Sequence, residues 1–142
     1  MADVSPPSSA PVAPAQSLIS TTLVIYLLFG IAAVVPLLAH GFPLVLPLFG
    51  VLGIVALIIA YVKRAEAAGT WLASHYRWLI RTFWFSFLWG AIGAVVIGLF
   101  WWLLGLGIVV GYAIWIATTI WVLYRLIRGY LLFKDSHPVP GM

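Results

Sequence analysis

From Thr82 to Tyr124 the chain runs for 43 residues without a charged side chain. A helix crosses the roughly 30 Å hydrocarbon core of a bilayer with about 20 residues. The stretch is about twice that long, so it reads as a hairpin of two spans, at about 78–100 and 104–124. The break is expected between Gly98 and Gly107, where Gly105 and Gly107 flank Leu106 and the Trp101-Trp102 pair lies just before. Indole rings favour the interface between lipid tails and headgroups, which suits a turn placed there.

Two further apolar runs precede the hairpin. Ser17 to Leu38 and Leu44 to Val62 are both uncharged, and Ala39-His40-Gly41-Phe42-Pro43 separates them with turn-forming Gly and Pro. They are expected as spans 17–38 and 44–62. Pro36 falls near the end of the first, and Pro47 falls in the first turn of the second, where a missing N–H costs little. The composition agrees: 65% of residues are hydrophobic and 7% charged, against about 25% charged in an ordinary soluble domain. Lipid as solvent resolves this, because the outside of a bundle is then apolar. The fold class expected is an all-α membrane protein, a bundle of four transmembrane helices over residues 17–134. Residues 1–16, with Pro6, Pro7, Pro11 and Pro14 among Ser and Ala, read as a disordered tail. That tail has no basic n-region, since the first Lys or Arg is Lys63, so cleavage as a signal peptide is not expected. Residues 135–142 form a short polar C-terminal tail.

Orientation follows from the seven basic residues. Lys63, Arg64, Arg77 and Arg81 lie between spans two and three, and Arg125, Arg128 and Lys134 follow span four. The other two connections have none. Basic loops stay cytoplasmic, so both ends are expected in the cytoplasm. A three-span reading would put the two basic groups on opposite faces. The net charge of +4 is explained by these helix ends and does not point to nucleic acid, which needs a clustered basic face.

Ser86, Gly90, Ala94 and Gly98 are spaced by four on the third span. Small residues so spaced let a second helix approach closely, either within the chain or in a dimer or partner. Gly107 and Gly111, and Ala56 and Ala60, give one interval each. Arg77 and Arg81 share a helix face with Trp84 and Leu88. Their readings are headgroup anchoring by snorkelling, an ion pair with Glu66, or a ligand site. Thr70 or Ser74 is a candidate cap for the third helix, and Trp71, Tyr76, Trp78 and Trp84 suit an interfacial girdle.

The chemistry of catalysis is missing. The absence of cysteine excludes disulfides and thiolate sites. His40, His75 and His137 are scattered and no carboxylates pair, so no metal, cofactor or catalytic residue is expected.

The strings Tyr61-Val62-Lys63-Arg64, Gly69-Thr70-Trp71-Leu72, Ser74-His75-Tyr76-Arg77-Trp78 and Ile80-Arg81-Thr82-Phe83-Trp84 resemble a family of small proteobacterial inner-membrane proteins without an established activity. That family is distantly similar to the membrane subunit of the chloroplast inner-envelope protein-import translocon. The resemblance covers roughly Tyr26 to Leu132. It implies a multi-pass protein of the bacterial inner membrane and carries over no catalytic residue.

The function expected is that of a non-enzymatic accessory or scaffold subunit, or a lipid-interacting one. The alternative is a small oligomeric channel or carrier. Candidate contacts with anionic headgroups or a partner are Lys63, Arg64, Trp71, His75, Arg77, Trp78, Arg81 and Trp84. Besides the bilayer, the partners open to it are a second copy and another membrane protein.

Overall fold

The computed structural model describes residues 12–38, 46–100, 102–103 and 105–141. These residues form four helices and no strand: α1 (Gln16–Leu38), α2 (Leu46–Lys63), α3 (Leu72–Phe100) and α4 (Leu106–Lys134). Three are long and apolar enough to cross a membrane, within Gln16–Pro36, Leu72–Phe100 and Leu106–Lys134. The chain is a helical membrane protein. The expected tail before Val12 and the expected turn Ala39–Pro43, with His40, lie outside the described residues, as do Trp101 and Leu104.

The spans read at 78–100 and 104–124 correspond to longer helices. α3 begins six residues earlier than that reading, and α4 continues ten residues beyond it. Each has 29 residues, about 43 Å of helix, which matches the roughly 40–45 Å of a bilayer with its headgroup layers. The reason is plain in the sequence: no Gly or Pro interrupts Leu72–Trp78, so charge marks the end of the hydrocarbon layer and not the end of the helix.

Local chemistry sets the ends. Gly69 adopts the left-handed φ of +80° that closes the α2–α3 turn. Thr70 caps α3: its Oγ1 accepts the Leu72 N–H at 3.2 Å and donates to the Ala67 carbonyl at 2.8 Å. Gly105, left-handed at φ +78°, stands at the N-cap of α4 without a side-chain cap bond. α4 ends in a Schellman turn. The N–H of His137 donates to the Leu132 carbonyl at 2.9 Å, and that of Ser136 to Phe133 at 3.0 Å, with Ser136 left-handed at φ +56°.

Hydroxyls inside the helices are satisfied locally. Thr22, Thr82, Thr118 and Thr119 each donate to the carbonyl four residues back, at 2.7–2.9 Å. In lipid this removes the cost of an unpaired polar group.

The helices pair as two hairpins, α1 with α2 and α3 with α4. Between α3 and α4 the close approach is made by Gly93, Gly107 and Gly111. A Cβ on Gly93 would overlap the Trp115 indole, one on Gly107 would overlap the Phe100 backbone, and one on Gly111 would overlap Ile97 and the Gly93 carbonyl. The four-residue stripe read from the sequence is one position off this contact. A Cβ on Gly90 or Gly98 would meet nothing within 4 Å, and Ala94 and Gly98 are exposed. The hairpins meet each other at the basic end, where Ile25, Tyr26, Ala60, Leu72, Tyr76, Leu79 and Leu126 form the core.

Candidate functional site at the basic end of the bundle

The ends of α2 and α4 meet the starts of α1 and α3 at this end, and two buried polar assemblies lie there. The first joins α1, α3 and the C-terminal tail. His75 is fully buried. Its Nε2 faces the His137 carbonyl oxygen at 2.8 Å. A carbonyl can only accept, so Nε2 carries the proton and Nδ1 is left as an acceptor. The Tyr26 hydroxyl, 2.9 Å away, donates to it. One residue earlier, Ser74 Oγ donates to the Trp71 carbonyl and accepts the Val139 N–H, both at 2.9 Å. Val139 is 3% exposed. The Schellman turn thus steers the tail over the first turn of α3, where two hydrogen bonds and one buried side chain hold it. Trp71, Tyr26 and Phe133 pack around the His75 ring at centroid distances of 5.4–6.1 Å.

The second assembly joins α3 to α4. Trp78 Nε1 donates to the Arg125 carbonyl at 3.1 Å, and Arg125 Nε donates to Thr82 Oγ1 at 2.8 Å. The guanidinium carbon of Arg125 lies 3.5 Å from the Trp78 ring centroid and 4.8 Å from that of Trp121. Such a cation over an indole face is worth about 0.5–2 kcal/mol. Arg128 approaches the same Trp78 ring at 6.0 Å.

The candidate contacts read from the sequence divide in two. Arg64, Arg77, Arg81 and Trp84 are exposed, and Trp84 Nε1 donates to the Tyr61 hydroxyl at 3.0 Å. Lys63 is half-buried and paired with Glu66 at 2.7 Å. His75 and Trp78 are buried, so these two hold the fold and do not form its surface, while Trp71 is half-buried. The expected aromatic girdle is corrected in the same way. Tyr76 is fully buried and its hydroxyl hydrogen-bonds Thr22 at 3.1 Å; of the four girdle residues Trp84 is the exposed one.

Sequence reasoning missed Arg125 as a built element and Val139 as a buried one. A signal for Arg125 was present: Trp78 and Thr82 are four apart on α3, and a face that pairs an indole with a hydroxyl at the hydrocarbon boundary suits a guanidinium. Nothing in Pro138-Val139-Pro140 marks a docking segment. Among the described residues no three His, Asp or Glu side chains come together, and both ring nitrogens of His75 are engaged. The arrangement can fix helices and present cations. No family model, no curated protein and no solved structure matches the chain.

Proposed function

We propose that the protein is a four-span protein of the bacterial inner membrane, with both termini cytoplasmic. It works there as a non-enzymatic accessory or scaffold subunit. Its cytoplasmic end offers a rigid basic and aromatic surface to anionic headgroups and to a membrane-protein partner. The observation that carries this reading is the concentration of packing and bonding at the basic end. His75, Tyr26, Ser74 and the tail lock the helices together beneath an exposed rim of Arg64, Arg77, Arg81 and Trp84. A surface held that firmly suits recognition, because little ordering remains to be done when a partner binds.

The topology rests on charge. All seven basic residues belong to this end if α2 crosses the membrane. With 18 residues α2 is about 27 Å long, close to the hydrocarbon thickness. The inner-membrane location draws on the resemblance of the Tyr61–Trp84 segment to small proteobacterial inner-membrane proteins. A conduit would present polar groups in a line along the interior. The cavity of about 320 Å³ between the four helices is bordered by Ser86, Thr118 and Thr119, whose hydroxyls are turned to carbonyls of their own helices.

The test is crosslinking in the native membrane, mild extraction, and mass spectrometry of what co-purifies. A reproducible partner should be lost when Arg77 and Arg81 become Gln, or when Ala94 and Gly98, both exposed on α3, become Leu. A protein that comes out alone, with no crosslinked partner, contradicts the accessory role.

A further inference from the structure

Arg125 and Arg128 converge on the Trp78 ring, at 3.5 and 6.0 Å. Arg81 stands on the next turn of α3, and the charged groups near enough to act on Arg125 are Arg81 and Arg128, both positive. Among the described residues no carboxylate forms an ion pair with Arg125 or Arg128. Glu66 is taken by Lys63, and Asp135 follows the end of α4, ten residues beyond Arg125. The groups that position Arg125 and Arg128 are neutral: the Thr82 hydroxyl, the indoles of Trp78 and Trp121, and the Tyr124 hydroxyl. The fold therefore holds Arg125 and Arg128 on one indole with no carboxylate paired to either among the described residues.

Depth says what compensates them. The uncharged parts of α3 and α4, Thr82–Phe100 and Leu106–Tyr124, are each about 28 Å long at the helical rise, close to one hydrocarbon thickness. Arg81 and Arg125 are thus level with each other at its edge, where lipid phosphates lie. A groove of about 380 Å³ begins beside them, within the size range of ligand sites. Its walls are Trp89, Ile114, Ala117, Thr118 and Trp121. Trp121 belongs to both features: it lines the groove and lies 4.8 Å from the Arg125 guanidinium. Cations at the headgroup level that continue into an apolar groove at tail depth match one molecule, a phospholipid with an anionic head.

We infer that the α3–α4 edge is a phospholipid-binding site, with Arg125 and Arg128 around Trp78 receiving the phosphate and the Trp89–Trp121 groove receiving an acyl chain. The inference rests on the proposed reading that this end faces anionic headgroups. Guanidinium forks suit phosphate oxygens, and the indole beneath them fixes their position before the lipid arrives.

The experiment is native mass spectrometry of the full-length protein in mild detergent, titrated with phosphatidylglycerol or with phosphatidylcholine of the same chains. Phosphatidylglycerol should be retained at least about tenfold better. Arg128→Gln removes a charge from an exposed side chain, and Ala117→Phe fills the groove without touching charge; each should lower retention about fivefold or more, with circular dichroism unchanged. Equal retention of the two lipids by the wild type overturns both the site and the headgroup reading beneath it. A preference for phosphatidylglycerol that survives both substitutions leaves that reading standing and overturns this site. Displacement of the lipid by millimolar inorganic phosphate would overturn the assignment to a lipid, since a free anion would then suffice.

Discussion

His75 Nε2 lies 2.8 Å from the carbonyl oxygen of His137, 62 residues further along the chain. That bond, with the Val139 N–H on Ser74 Oγ, ties the C-terminal tail to α3. The tail is held by few contacts, so its release can be followed separately from unfolding of the helices.

Ser74→Ala removes the acceptor of the Val139 amide. A hydrogen bond of this kind contributes about 1 kcal/mol net, so exchange of that amide should quicken about fivefold while α3 amides hold their protection. Hydrogen exchange of the purified protein, read on a peptide containing residues 135–142, checks this. Unchanged exchange at Val139 would mean that the tail is held by something other than this pair.

Ser136 sits at φ +56°, a left-handed conformation that costs an L-residue about 1–2 kcal/mol. Ser136→Gly should therefore stabilise the cap by up to about 1 kcal/mol, part of the gain being lost to the freer unfolded chain. Ser136→Val should destabilise it. Denaturant midpoints in one detergent compare the three proteins, and the order expected is Gly, Ser, Val.

Gly111→Ala and Gly90→Ala separate the two sets of small residues on the hairpin. The added methyl at 111 would overlap Ile97 and the Gly93 carbonyl, whereas the one at 90 enters open space. Overpacking of this kind costs about 1–3 kcal/mol; an open helical site gains about 0.5–1 kcal/mol from Gly to Ala. Thermal unfolding of the two variants should thus move in opposite directions.

These comparisons show where the sequence was informative. The number of apolar runs and the grouping of all seven basic residues into two segments could be read directly, because charge and lipid do not mix. Which face of each helix is inside could not be read. α1 and α3 are apolar on every side in their membrane portions, so polarity gives no inner face. For that reason Gly93, where a Cβ would overlap Trp115, looks no different in sequence from Gly90, where a Cβ would enter open space. Tyr76 and Trp84 likewise read alike as interfacial rings, yet one is fully buried and the other half exposed. The tail shows the same limit from another direction, since a single Val between two prolines reveals its burial only once α4 has been capped.

Thr82→Val tests the built position of Arg125. The guanidinium Nε loses its acceptor at 2.8 Å in a half-buried setting, and about 1–3 kcal/mol of stability should go with it. Glu66→Gln is the control. It breaks an exposed pair at 2.7 Å of a kind that contributes about 0–1 kcal/mol, so its unfolding midpoint should barely move.

The proposed topology has four spans, with both termini and both basic segments on one face. The chain has no cysteine, so single cysteines can be introduced at Ala13, His40, Glu66, Trp102 and Asp135 and probed in intact cells with an impermeant maleimide. Labelling is expected at 40 and 102 from outside, and at 13, 66 and 135 only after the inner membrane is opened. Labelling of 66 and 135 from opposite faces would contradict that topology.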